Sequence, residues 1–310
     1  MDKVVNSKKE YEISINIKGI DKKIFLVQKK ATEINENISI ITNKEVTMTR
    51  EEIIAKAYKF HLERDILKAA YYYQKFIKLG FNDPQVFLNY GVILKNLGNL
   101  KEAEILQRKA IELNPNYAEA YSNLGNIFID LGNLEEAEIS IRKAIRLKPE
   151  LAEAHNNLGK IMREFDQLKE AEISTRKAIK LKSNYADAYN NLGITLNELG
   201  NLEEAELSLY KAIKINPDFV DAYSNLGGIL GDQGRAKEAE KLLRKAIELS
   251  PDYAEAYLNL SFLDLRLGNY LSGLEMYEYR FNIKKPYLTY GKTKIKKKDN
   301  KEFRKGEKLL

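Results

Sequence analysis

Apolar residues through the middle of the chain sit three and four apart in short stretches, the spacing of one buried helix face. The whole arrangement then returns every 34 residues. With position 1 of a frame at Ala118, Tyr121 falls at position 4, Leu124 at 7, Gly125 at 8, Phe128 at 11, Gly132 at 15, Ala137 at 20, Ala144 at 27 and Pro149 at 32. Frames starting at Arg50, Pro84, Ala118, Ala152, Ala186, Val220 and Ala254 follow one another without an insertion. Position 20 is then Ala69, Ala103, Ala137, Ala171, Ala205 and Ala239, ending on Gly273. Small residues at positions 8, 20 and 27 let two helices approach closely, while large ones at 4, 7, 11 and 24 fill the space beside them. One such unit cannot bury its apolar face alone, so neighbours stack. The pattern predicts an all-α fold, an α-solenoid of stacked helix-turn-helix units.

Local signals divide each frame into two helices. The first ends at position 15, where Gly98, Gly132, Gly200, Gly234 and Gly268 suit a left-handed C-terminal cap. The second starts at once: Asn99, Asn133 and Asn201 are predicted N-caps, with Glu102, Glu136 and Glu204 at capping-box spacing. Glu104–Arg108, Glu138–Arg142, Glu172–Arg176 and Glu240–Arg244 are predicted ion pairs one turn apart on its exposed side. Frame 152–185 is the weak unit, because Asp166 replaces the cap glycine, Ser183 the terminal proline and His155 the aromatic at position 4.

At these residues the chain resembles the tetratricopeptide repeat family, with Tyr usually in place of Trp. The resemblance implies a right-handed α-solenoid over residues 50–282, in frames 50–83, 84–117, 118–151, 152–185, 186–219, 220–253 and 254–282. It also implies a concave face lined by the first helices, at positions 2, 5, 6, 9, 12 and 13. Residues 1–49 lack the repeat. Tyr11, Ile13, Ile15 and Ile17 alternate with polar residues like a short strand, and Ile24–Val27 and Ile38–Ile41 are similar, so this extension holds short strands or is disordered. Residues 283–310 form a basic C-terminal tail or linker.

Composition narrows the function. There is no cysteine, so disulfides, thiolate metal sites and cysteine nucleophiles are excluded, and the only histidines are His61 and His155. Position 4 is a core place, so His155 is expected to pack rather than react. No catalytic constellation, metal site or cofactor is expected, and the chain is read as a non-enzyme. The net charge is +6, but residues 283–310 alone carry eleven Lys or Arg against three acids, so the rest of the chain is slightly acidic. That distribution argues against specific nucleic-acid binding by the repeats. Without an apolar leader or a membrane-length apolar run, the expected address is cytoplasmic, with no transmembrane segment.

Position 6 is asparagine in six consecutive frames: Asn89, Asn123, Asn157, Asn191, Asn225 and Asn259. An amide offers donors and acceptors, so one per repeat suits the backbone of an extended peptide whatever its side chains. The Asn-Leu-Gly at positions 6 to 8 is similar to the repeat arm of protein O-GlcNAc transferase, a likeness that implies such an asparagine ladder. The bland alternative is that the amides bond only across neighbouring helices or to water. Acids at position 2 (Glu119, Glu153, Asp187, Asp221, Glu255) are read chiefly as helix N-terminal partners of Asn116, Asn184, Asp218 and Asp252. Position 5 holds no Lys or Arg, which counts against a carboxylate clamp.

The expected function is a scaffold that binds a protein or peptide in the groove. Gly273-Leu274-x-x-Tyr277-Glu278-x-Arg280 is similar to the junction by which bacterial repeat arms enter a glycosyltransferase-like domain. The alternative is therefore the substrate-recruiting arm of a split or truncated glycosyltransferase, with an adjacent catalytic domain or subunit as partner. Leu309-Leu310 reads as the first step into such a domain.

Overall fold

The structure is a computed structural model that describes residues 48–282 together with residues 289–290 and 293–294. The strand-like segments at Tyr11–Ile17, Ile24–Val27 and Ile38–Ile41 lie outside the described residues, as does most of the basic tail.

Among the described residues fourteen α-helices form seven consecutive pairs. The first helix of each pair is α1 (Arg50–Leu62), α3 (Pro84–Asn96), α5 (Ala118–Leu131), α7 (Ala152–Glu164), α9 (Ala186–Glu198), α11 (Val220–Asp232) or α13 (Ala254–Arg266). The second is α2 (Ile66–Lys78), α4 (Leu100–Leu113), α6 (Leu134–Leu147), α8 (Leu168–Leu181), α10 (Leu202–Ile215), α12 (Ala236–Leu249) or α14 (Tyr270–Tyr277). A 3-10 turn over Glu278–Asn282 follows, and Thr289–Tyr290 pairs antiparallel with Thr293–Lys294.

Within a pair, close approach depends on the glycine at position 8. A Cβ on Gly125 would come within 2.6 Å of Ile141 on the facing helix, so no larger residue fits without moving the pair apart. The alanines at positions 20 and 27, including Ala137 and Ala144, are fully buried beside it. Each pair also packs on the next, and from the second pair onward successive first helices touch one another. The array therefore curls with its first helices on the inner side.

The glycine caps behave as their spacing implies. Gly132 has φ 82° and donates its N–H to Ile129 and Phe128 carbonyls, closing the helix. Arg64 and Asp166 stand at the same point of their own frames and also adopt positive φ, 60° and 61°, where a side chain is strained.

The N-caps depart from expectation. Asn99, Asn133 and Asn201 occupy the cap position, yet none makes a side-chain cap bond. Backbone conformation is not the cause, because Asp65 caps α2 at the same point with ψ 75° and accepts from the Lys68 N–H at 3.2 Å. Asn99 instead donates from Nδ2 to Glu102 Oε2 at 2.8 Å. The reciprocal capping box forms at Thr49 and Glu52, where ψ is 163°. Likewise the first helices start one residue later than Asn116 or Asp252 implies: Tyr117, Tyr185, Phe219 and Tyr253 are the caps, and they cap without a side-chain bond.

At the C-terminal end the array closes on itself. Tyr279 stacks on Tyr257 at 3.8 Å, and Arg280 lies over the rings of Tyr277 and Phe281. These aromatic and cation contacts cover α13 where an eighth pair would have stacked.

Candidate functional site

The inner face is built from positions 6, 9, 12 and 13 of successive first helices. All six position-6 asparagines are half-buried on it. Their amides are not equivalent. Asn191 donates from Nδ2 to Asn156 Oδ1 at 3.0 Å, and Asn225 does the same to Asn190 Oδ1 at 2.9 Å. Asn259 donates to the Ser224 backbone carbonyl at 3.2 Å and to its hydroxyl at 3.1 Å. A carbonyl only accepts, which fixes which end of the Asn259 amide points inward. In all three the donor end is tied to the preceding repeat, and Oδ1 has no donor among the described residues.

The other three differ. Asn123 and Asn157 make no hydrogen bond among the described residues, so both ends of each amide remain open. Asn89 is satisfied locally, accepting from Gln85 Nε2 at 2.9 Å and donating to the Tyr73 hydroxyl at 3.2 Å.

Position 5 does not face the groove. Asn156, Asn190 and Ser224 are 5%, 7% and 1% exposed, because they fill the seam between consecutive first helices and serve as the acceptors just described. An amide or hydroxyl is tolerated in that seam because the next repeat supplies its partner.

Two of the five acids at position 2 are paired with a lysine. Lys148 bridges to Glu119 at 2.7 Å, Lys182 to Glu153 at 3.2 Å, and the Tyr253 hydroxyl donates to Asp221. Burial pushes the Glu119 carboxyl up, but the Lys148 hydrogen bond, a backbone N–H and the Lys148 charge outweigh it and leave the group below its ordinary value. The basic groove residues are engaged unequally, since Arg163 keeps a buried Nη1 with no hydrogen-bond partner among the described residues. Lys95 reaches Asp130 of the next repeat at 3.1 Å, and Arg163 approaches Glu198 at 3.9 Å. Burial, with the Glu164 and Asp166 carboxylates, raises Glu198 against the opposing pull of Arg163.

Neither histidine is arranged for chemistry. His155 is half-buried rather than packed inside, and its Nε2 donates to the Pro149 carbonyl at 2.8 Å. His61 Nδ1 pairs with the Tyr73 hydroxyl at 2.9 Å. Among the described residues no cluster of three His, Cys, Asp or Glu could hold a metal, and no helix is long and apolar enough to cross a membrane.

One feature escapes a reading based on position 6 alone. Between the sixth and seventh pairs a pocket of about 410 Å³ opens on the same face, walled by Gly228, Gly231, Phe262 and Leu263, with Asn259 at one end and the Asp232–Arg266 ion pair at the other. The signal was in the sequence: this is the frame with glycine at both positions 9 and 12, where its neighbour carries Ile194 and Asn197.

Family profiles described as tetratricopeptide repeat match residues 84–117, 118–151 and 152–185, residues 186–219, and residues 230–276. Among solved structures, a tetratricopeptide repeat protein from Parabacteroides merdae is 20% identical over 74% of this chain and 91% of its own, with a TM-score of 0.59. TTC0263, a thermophilic repeat protein of Thermus thermophilus, is 25% identical over 62% of this chain and 100% of its own, at 0.52. The pilF protein of Pseudomonas aeruginosa is 19% identical over 65% and 90%, at 0.53. All three share the fold. The search of curated proteins found no match.

Proposed function

Because this chain belongs to the tetratricopeptide repeat family, we propose that it is a protein-interaction scaffold that holds an extended polypeptide along its inner face. The observation that carries the proposal is the orientation of the amides. Asn191, Asn225 and Asn259 each anchor their donor end on the preceding repeat and present Oδ1 to the groove, once per repeat. Such a row accepts from the backbone N–H groups of a bound chain whatever its side chains. Asn123 and Asn157 extend the row with amides whose two ends are both open. Lys95, Glu119 and Glu153 are already in ion pairs, which favours recognition of extended backbone over that of charge. On this account the chain binds and does not catalyse.

The glycosyltransferase-arm alternative rests on Gly273 to Arg280. Those residues have a sufficient packing role: Gly273 is buried, Tyr277 and Arg280 stack together, and Tyr279 covers Tyr257. The matched family profiles and the three structures named above give no support to a transferase domain, so the scaffold is preferred.

The test is the triple substitution Asn157→Ala, Asn191→Ala and Asn225→Ala. Three lost hydrogen bonds should weaken a peptide retained by the parent protein roughly 10- to 100-fold, while circular dichroism keeps the parent helicity. Unchanged affinity overturns the ladder.

A further inference from the structure

We propose that the pocket between the sixth and seventh pairs is a specificity site for one aromatic side chain bearing a hydrogen-bond donor, tyrosine or tryptophan, on the polypeptide held by the groove. This inference rests on the scaffold function above and adds a side-chain preference to a row of backbone contacts.

The pocket exists because two side chains are missing. Position 12 carries Ile129 in the third pair, where it is 1% exposed, and Asn197 in the fifth; here it is Gly231. Position 9 carries Ile194 in the fifth pair and here is Gly228. Neither glycine has positive φ, so backbone conformation does not require them. A Cβ on Gly231 would meet only ordinary contacts, Leu263 at 3.7 Å and Ala239 at 3.8 Å. Packing therefore tolerates a β-carbon at 231, while one at 228 would come within 3.3 Å of Asn259 Nδ2, and each glycine costs its helix roughly 1 kcal/mol relative to alanine. What the glycines supply is space on the inner face.

The walls define the occupant. About 410 Å³ admits the largest side chains. One wall is the Phe262 ring, which is braced by Tyr277 at 6.1 Å, and a second flat ring laid against it gains the aromatic pair preference. Both polar ends of the pocket offer acceptors. Asn259 has spent its donor end on Ser224, leaving Oδ1, and Asp232 gives Oδ1 to Arg266 but keeps a largely exposed carboxylate. Arg266 is itself engaged by the Gly231 carbonyl and Asp232, so a charged side chain would have to break an existing ion pair to enter. A flat ring with an O–H or N–H at its edge meets all of these conditions.

The chain contains no tryptophan, so emission from a tryptophan peptide can be excited without interference. The probes are three synthetic extended peptides of Gly, Ser and Ala that differ at one central residue: Trp, Leu or Ala. Titrated into the full chain, the Trp peptide should bind about 10-fold more tightly than the Ala peptide, and more tightly than the Leu peptide, with its emission shifted to the blue. Gly231→Ile copies a side chain that the third pair already buries and replaces a helical glycine, so it should fold at least as stably. It should bring the Trp and Ala peptides to the same affinity and abolish the shift. Phe262→Leu should remove the preference for Trp over Leu. Equal binding of Trp and Ala peptides by the parent protein, or a preference that survives Gly231→Ile, overturns the pocket while leaving the ladder standing. Equal binding of Trp and Leu overturns the aromatic assignment. If no peptide binds, the pocket and the groove fall together.

Discussion

Single residues decide how this array spends its hydrogen bonds, and Gln107 shows the cost of one that is half spent. It stands at position 24, where other pairs bury Ile141, Leu209 and Leu243. Its Nε2 donates to the Leu88 carbonyl at 3.0 Å, but Oε1 is buried without a partner. An unsatisfied buried acceptor costs more than a helix carbonyl gains from a second donor. Gln107→Leu should therefore raise stability by about 1 kcal/mol, read from the denaturant midpoint at unchanged slope; a loss of stability would show that the Leu88 contact outweighs the orphan oxygen. At this scale the sequence was legible for residue type and not for atom orientation. Position 6 stands out as asparagine in six frames, yet only the fold decides which end of the amide is tied back and that position 5 supplies its acceptor. A polar residue predicted to line the groove, such as Asn190, proves to be buried because its partner lies 35 residues away.

At the scale of elements, the helix pairs and their closing glycines follow from composition alone, since only glycine takes φ near 82° without strain. The second-helix N-caps followed only in part: Asp65 caps α2 with its carboxylate, whereas Asn99, Asn133 and Asn201 at the same place make no cap bond. The fourth pair concentrates its exceptions in one place. Asp166 takes φ 61°, Thr175 sits fully buried and returns its hydroxyl to the Ala171 carbonyl at 2.8 Å, and Glu198 of the next pair is held up in part by the Asp166 charge. Asp166→Gly relieves the strained backbone and one like-charge contact, and should stabilise the protein by roughly 0.5–1 kcal/mol. In the parent chain, amides of residues 152–185 should exchange faster than those of the pairs on either side. Uniform protection, or destabilisation by the glycine, would contradict this account of the weak unit.

The whole molecule is a one-dimensional stack, so its stability is the sum of pairs and of the seams between them. Ion pairs such as Arg142–Glu170 at 2.8 Å and Arg176–Glu204 at 2.6 Å repeat along the outer side of these seams, and the amide bonds of Asn191 and Asn225 repeat along the inner side. The same amides therefore serve two roles: the donor end joins repeats, and the acceptor end is left for a ligand. The 34-residue period made the solenoid legible; the division of labour within each amide depends on curvature, which brings successive first helices together. The central claim is that Oδ1 atoms in the groove accept hydrogen bonds from the backbone of an extended chain. Its most direct test is the affinity of a bound peptide against analogues in which single backbone amides are replaced by esters, which removes one N–H at a time and leaves every side chain in place. Esters at alternate positions facing the groove should each weaken binding by roughly 2- to 10-fold. Equal affinity of the peptide and all of its ester analogues would show that the asparagines do not hold the backbone.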